Sequence, residues 1–522
     1  HLTGGQLWMY DGVRPVEHGF HVWPENNTVT TATGAGSLSA QQYNYVFTYE
    51  WTDNQGNLHR SAPSIPVAIT TTTASSTNTL KVPTLRLTYK VSPNPVRIVG
   101  YRWSTAQQTY YQFTSVTSPT VNDPTVDNVT ITDALADSSI LGNAILYTTG
   151  GVIEDIAAPA SIASALFKNR LFLVDAENPN LLWYSKQVIQ AVPVEMSDLL
   201  TIYVAPTSGS QGSTGDITAI SAMDDKLIVF KRNAIYYITG TGPDNTGSSN
   251  DFSDPIFISS SVGCANPNSI VLMQNGIMFQ SDKGIWLLGR DLNTTYIGAP
   301  VEQYNSYTVM SAKSIPASNE IRFVLSNNIT LMYDYYYGQW GTHSNLNAIS
   351  STLYQGADTY LNTYGKIFKE TPGTYIDGSR PVLLSFRTSW ISLAGVQGFE
   401  RFYEMLILGT YYTPFKLNIE IAYDYNPSPT QSTQIVPDNY VAPWGGESVW
   451  GGGGPWGGPG NVFEARLFPQ QQKCETFQII ATEVYDPSHG GTPGQGLNLS
   501  GLNMIIGAKR GNRTQKASTS FG

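Results

Sequence analysis

Apolar and polar positions alternate in short runs that predict strands. The most regular run is Tyr43, Tyr45, Phe47, Tyr49 and Trp51, the period-2 signature of a half-buried strand. The turn Asp53-Asn54-Gln55-Gly56 and the segment Ser61-Ala62-Pro63-Ser64 follow, and further strands are predicted over residues 80–82, 85–89, 96–103 and 110–116. Short strands bounded by Pro, Asn, Ser or Gly at this spacing predict a small β-sandwich. Before it, Leu7 and Met9 alternate into the turn Asp11-Gly12, whereas the Thr-, Ala-, Gly- and Ser-rich stretch 28–40 reads as a linker or strand edge.

From about Ser161 a repeat sets in: a turn opens an apolar strand, a short polar hairpin follows, and an aromatic strand comes next. Leu171, Leu227, Ile277, Ile321 and Leu361 anchor successive copies at spacings of 56, 50, 44 and 40 residues, close to the period of four-stranded propeller blades. A blade cannot bury both faces alone, so blades stack side by side. Gly4-Gly5-Gln6-Leu7-Trp8-Met9-Tyr10-Asp11-Gly12 matches the second half of a blade, so the chain is expected to enter its propeller part-way, at His1. Strands over 385–390, 401–408, 415–423, 461–467 and 476–481 predict a second sandwich, and the basic stretch 508–516 reads as a solvated tail.

The expected architecture is all-β: a β-propeller with an inserted fibronectin type III-like sandwich and a C-terminal β-sandwich. Residues 1–35 begin the propeller, 36–148 form the insertion, 149–382 the blades, and 383–522 the second sandwich with a Trp/Gly-rich loop at 443–460. Composition agrees. The 522 residues include 48 Gly, 31 Tyr and 30 Pro with only 13% charged side chains, which disfavours helical bundles. A net charge of −10 disfavours a scaffold that grips phosphates. Cys264 and Cys474 stand far apart without metal-ligand spacing and read as buried thiols.

Candidate chemistry is sparse. His18 and His21 lack a third ligand, no phosphate-binding loop or nucleophile elbow is present, and Asp224-Asp225 reads as turn chemistry. No catalytic, metal or cofactor site is expected. Ser281-Asp282-Lys283-Gly284-Ile285-Trp286 resembles the Asp-box hairpin of sialidase-like propellers, and Arg170, Arg232, Arg290 and Arg322 could in principle supply a carboxylate-binding set. They sit at unlike places in the repeat, so a carbohydrate-binding or glycan-cleaving propeller is the alternative reading. Trp444, Glu447, Trp450 and Trp456 stand out in their Gly-rich loop. Exposed Trp is costly unless it meets a partner, which marks these residues as a candidate channel or gate loop.

The order of several motifs, from the Gly-Gly-x-Leu-Trp-x-Tyr-Asp-Gly opening through Lys168-Asn169-Arg170-Leu171-Phe172, Asp225-Lys226-Leu227-Ile228-Val229-Phe230, the segments 233–240 and 263–269, Gln280-Ser281-Asp282-Lys283-Gly284-Ile285-Trp286 and Ile297-Gly298, resembles the tail nozzle proteins of short-tailed bacteriophages, the tail tubular protein B-like family. The likeness spans residues 1–24 and 160–345, and the C-terminal sandwich more loosely; the fibronectin-like insertion departs from it. The resemblance implies a structural virion protein of the tail, a homohexameric ring below the head-to-tail adaptor that carries fibres or spikes. Genomic double-stranded DNA would pass through its lumen without sequence-specific binding.

Overall fold

The computed structural model describes the chain apart from residues 1–3, 92–93, 147–155, 191, 206–213, 249, 260, 345, 372–373, 378–379, 394–397, 412–414, 436–460, 487–496 and 511–522. It forms two compact units, His1–Lys369 and Glu370–Gly522. The unit boundary falls earlier than the expected break at 382, because the blade repeat ends at Lys369.

The first unit opens with the hairpin β1 (Trp8–Tyr10) and β2 (Pro15–Glu17). The insert follows as β3 (Thr28–Leu38), β4 (Gln42–Thr52), β5 (Leu58–Arg60), β6 (Val67–Thr70), β7 (Ser76–Pro83), β8 (Arg97–Ser104), β9 (Thr109–Gln112) and β10 (Asn128–Asp133). One sheet runs β10-β7-β3; the other runs β5-β4-β8-β9, with β6 also pairing β4. The backbone amides of Ser61 and Ser64 continue the ladder to Tyr49 and Phe47. Thus β5 and β6 are one edge interrupted at its prolines, a position where the missing amide costs least.

Contrary to expectation, the stretch 28–38 is a full strand of the insert, so the insert begins before residue 36. Its mostly exposed Thr, Ala and Gly residues conceal the ladder to β7. Residues 85–89 form no strand; they lead into Lys90, whose buried side chain pulls this segment onto the hairpin.

The alternating aromatics of β4 fill the space between the insert's sheets with Leu80, Val82, Ile98 and Phe113. Inside this core, Arg102 (β8) donates to Asp133 (β10) at 2.7 Å, Tyr45 (β4) donates to the same carboxylate at 2.8 Å, and Asn78 (β7) donates to the Tyr45 hydroxyl at 2.9 Å. A buried network of this kind fixes which strands face each other, because slipping the sheets would leave a buried charge unpaired.

Five antiparallel meanders follow. They are β11 (Ser161–Phe167), β12 (Arg170–Asp175), β13 (Leu181–Tyr184) and β14 (Thr201–Tyr203); β15 (Ile217–Met223), β16 (Lys226–Lys231), β17 (Ile235–Ile238) and β18 (Ile256–Ser259); β19 (Val271–Met273), β20 (Gly276–Ser281), β21 (Gly284–Gly289) and β22 (Thr294–Tyr296); β23 (Val309–Ile315), β24 (Glu320–Leu325), β25 (Ile329–Asp334) and β26 (Gln339–Ser344); and β27 (Ala348–Tyr354), β28 (Ala357–Asn362) and β29 (Ile367–Lys369). All five sequence anchors lie on the second strands. The first four occupy the second place of their strand, while Leu361 sits three residues further along β28.

Hairpin chemistry explains the meanders. Lys168-Asn169 and Gln355-Gly356 both carry paired positive φ values, the backbone of a two-residue turn whose twist matches its strands. At Gly276, φ is +148° and an added Cβ would collide with the Leu288 carbonyl oxygen, so only glycine fits.

Neighbouring meanders share cores. Phe172, Val174 and Leu182 pack with Leu227, Val229 and Tyr236; Ile228, Phe230 and Ile235 pack with Ile277, Phe279 and Leu288; Met278 and Ile285 pack with Ile321, Phe323 and Leu331. First strands lie against first strands, β11 beside β15, β19 beside β23 and β23 beside β27. Four-stranded sheets that stack face to face with their first strands adjacent are blades of a propeller. The opening hairpin packs on the far side of the first blade through Leu7, Leu171, Leu173 and Met196.

The second unit holds the short hairpin β30 (Ile376–Asp377) and β31 (Arg380–Pro381), then β32 (Ser385–Arg387), β33 (Gly398–Tyr411), β34 (Phe415–Tyr423), β35 (Gln431–Ile435), β36 (Asn461–Leu467), β37 (Lys473–Cys474), β38 (Phe477–Tyr485) and β39 (Leu497–Arg510). One sheet runs β32-β38-β34-β35; the other is built on β33, which pairs β36, β37 and β39. Phe402, Met405, Leu417, Ile419 and Phe477 pack between them. Ala508, Lys509 and Arg510 pair with β33, so the expected solvated tail begins in the sheet, because the long strand β33 offers backbone partners that far. The rest of that stretch lies outside the described residues.

Candidate functional site

Trp444, Glu447, Trp450 and Trp456, the candidate channel or gate residues, lie outside the described residues. The arginines considered for a carboxylate site do not converge. Arg170 is buried in the first blade, donating to the Ser185 carbonyl at 2.9 Å and to that of Pro243. Arg232 pairs with Asp282 at 2.9 Å. Arg290 pairs with Asp224 and donates to the Gln274 carbonyl at 2.6 Å. Arg322 holds Glu320 at 2.8 Å and Asp358 at 2.9 Å. Most of these contacts tie one blade to the next, and the Asp-box-like turn supplies Asp282 for that purpose. Among the described residues no group of three or more His, Cys, Asp or Glu is arranged to hold a metal ion.

Other polar ties follow the same rule. Lys231 of the second blade donates to Asn180 at 2.6 Å and to the Val204 carbonyl at 2.9 Å in the first. Asn266 and Gln280 reach the Val309 and Tyr307 carbonyls at 2.6 and 2.7 Å, and Trp340 donates to the Ile297 carbonyl at 2.9 Å. Asp358 of the last blade takes both Lys313 and Arg322 of the fourth. These polar side chains thus join one blade to the next.

A buried charged cluster lies where the opening hairpin meets the insert. Lys90 is completely buried and donates to Glu17 Oε1 at 2.9 Å, to the Glu17 carbonyl at 2.7 Å and to the Gly19 carbonyl at 2.8 Å. Its ammonium lies 5.1 Å from the Phe20 ring centroid and 5.5 Å from that of Trp51, within cation–π range. Burial pushes the Lys90 ammonium down to about 8 against the pull of Glu17, and Lys90 in turn, against the effect of burial, holds the Glu17 carboxyl below its usual range.

Beside this pair stand His18 and His59, both buried. His59 faces Asp53 at 3.2 Å, and Asp53 also accepts the Gln55 and Asn57 amides at 2.9 and 2.8 Å. In the sequence His18 and His21 lack a third ligand, and nothing there shows the cluster. Its members lie as far apart as Glu17 and Lys90, and no local pattern joins them.

No family model and no curated protein matches the chain. Among solved structures, it is similar to YCF48 bound to D1 peptide (11% identity, TM-score 0.27, covering 52% of this chain and 74% of that one). It is also similar to a chain of a mitotic checkpoint complex (12% identity, TM-score 0.27, 56% and 87%). A third similarity is to PorZ, a type-IX secretion component of Porphyromonas gingivalis (9% identity, TM-score 0.21, 42% and 34%). Likeness at this level says nothing about what the chain does.

Proposed function

We propose that the chain is a structural virion protein of the tail nozzle type, a subunit of a homohexameric ring in a short bacteriophage tail. In this reading it sits below the head-to-tail adaptor, carries fibres or spikes, and conducts and gates double-stranded DNA without reading its sequence. The observation that supports it is where the family-like motifs fall: one after another, at the turns and strands that seat each blade on the next. The polar groups along these strands hold blades together. A net charge of −10 suits a conduit, since negative walls do not retain phosphates.

Immuno-electron microscopy with antibody raised against the insert tests this reading. Label at the tail of intact particles is the expected result; particles that carry none, with the chain found only free in solution, would overturn it.

A further inference from the structure

The blade repeat breaks off one strand short. The first four blades each carry a fourth strand, β14, β18, β22 or β26, which runs antiparallel to the third. The fifth ends on its third, β29, which among the described residues pairs with β28 alone. Third strands elsewhere are buried or half-buried, whereas Ile367 of β29 is 75% exposed. Asn362 donates its amide to the Lys366 carbonyl. By the alternation of an antiparallel ladder, Ile367 and Lys369 therefore turn their own N–H and C=O groups away from β28. Lysine often guards such an edge, but the Lys369 ammonium donates to Gln355 at 2.8 Å and lies 5.4 Å from the Tyr354 ring centroid, both at the β27–β28 turn.

The four existing outer strands specify what would fit a fifth. They read Thr-Ile-Tyr, Ile-Phe-Ile-Ser, Thr-Thr-Tyr and Gln-Trp-Gly-Thr-His-Ser. None has Asp, Glu, Lys or Arg, and each has one Tyr, Phe or Trp. In the second, third and fourth blades that ring stands directly opposite an aromatic residue of the third strand. Tyr236 faces Phe257, Trp286 faces Tyr296 and Tyr333 faces Trp340, with centroids 5.5, 5.2 and 4.8 Å apart. Cross-strand aromatic pairs of this kind stabilise a ladder. β29 offers the same feature: Phe368 stacks on Tyr360 of β28 at 5.5 Å, and among the described residues no strand pairs on its other side.

We propose that the free edge of β29 is a docking site for a partner protein. The partner contributes an extended, uncharged segment that adds antiparallel to β29 as the blade's fourth strand, with an aromatic residue opposite Phe368. Main-chain bonds to Ile367 and Lys369 supply affinity, and the aromatic pair supplies specificity. The site belongs to the propeller alone and does not depend on the tail reading.

Hydrogen exchange of the full chain, with and without a synthetic peptide of residues 293–298 (the third blade's outer strand with its flanks), tests the site. At about 1 mM peptide, residues 366–369 should gain about fivefold protection or more, with β14, β18 and β26 unchanged. Two changes should each abolish most of that gain: Tyr296→Ser in the peptide, and Ile367→Pro in the chain, which removes an outward amide and spares the ladder to β28. If Ile367→Pro does not fold, Phe368→Leu is read in the same way. No gain with the parent peptide, an equal gain at the other outer strands, or an undiminished gain after either change would overturn the proposal. Protection of 366–369 before any peptide is added would also overturn it. If that protection rises with chain concentration, a second copy holds the edge; if it does not, the chain itself does.

Discussion

Asp358→Asn probes the principle on which the blades are joined. Asp358 is buried on β28 and accepts Lys313 and Arg322 from the fourth blade; Arg322 also holds Glu320 at 2.8 Å. Loss of the carboxylate charge removes one of Arg322's acidic partners, with Glu320 still in place, and deprives Lys313, itself buried, of the ion pair it makes with Asp358. Breaking a buried pair from one side costs about 3–5 kcal/mol, and the surviving Glu320 contact argues for the lower end, about 3 kcal/mol. That corresponds to an opening of the fourth–fifth blade interface increased on the order of a hundredfold. Native-state hydrogen exchange should show it in β27 and β28, with β16 and β20 protected as before. Adding Lys313→Met should recover part of the loss, because the stranded cation goes with it. A single variant whose β27 and β28 exchange within a factor of two of the parent would refute the reasoning.

Three further outcomes are expected. Lys90→Met should destabilise the insert's seat on the hairpin by about 3 kcal/mol, and Lys90→Met with Glu17→Gln by clearly less, because the single change strands a buried carboxylate; limited proteolysis around residues 84–96 reads both. Gly276→Ala should cost at least about 2 kcal/mol in denaturant titration, because an L-residue is strained at this φ and its Cβ has nowhere to go. Cys264 and Cys474 are both free and buried, with burial pushing their thiols up to about 11 and about 12. Both should resist a thiol reagent at pH 8 in the native chain and react together, without reductant, once it is unfolded.

How far the fold was legible depended on how local its signal was. Blade anchors and hairpins are written in neighbouring residues: apolar alternation across a turn, with Asn169 or Gly356 supplying one of the two positive-φ places. The first four anchors fall at equivalent places, and the fifth drifts because β28 has Asp358 where its counterparts carry Leu or Ile. The strand Thr28–Leu38 was hidden because an exposed edge needs no apolar face. Residues 85–89 alternate like a strand but serve to deliver Lys90. Arg102 and Asp133 lie 31 residues apart with no local pattern to join them, and only their apposition across the sandwich makes them a core network. The same limit applies to the cluster around Lys90, whose members come from the hairpin and the insert and acquire their chemistry by being buried together.

Native mass spectrometry of the purified chain, followed by electron microscopy of the same sample, would reveal the proposed ring. A hexamer with an axial channel is the expected result. A chain that stays monomeric at every concentration and releases sugar from a glycan substrate would contradict it.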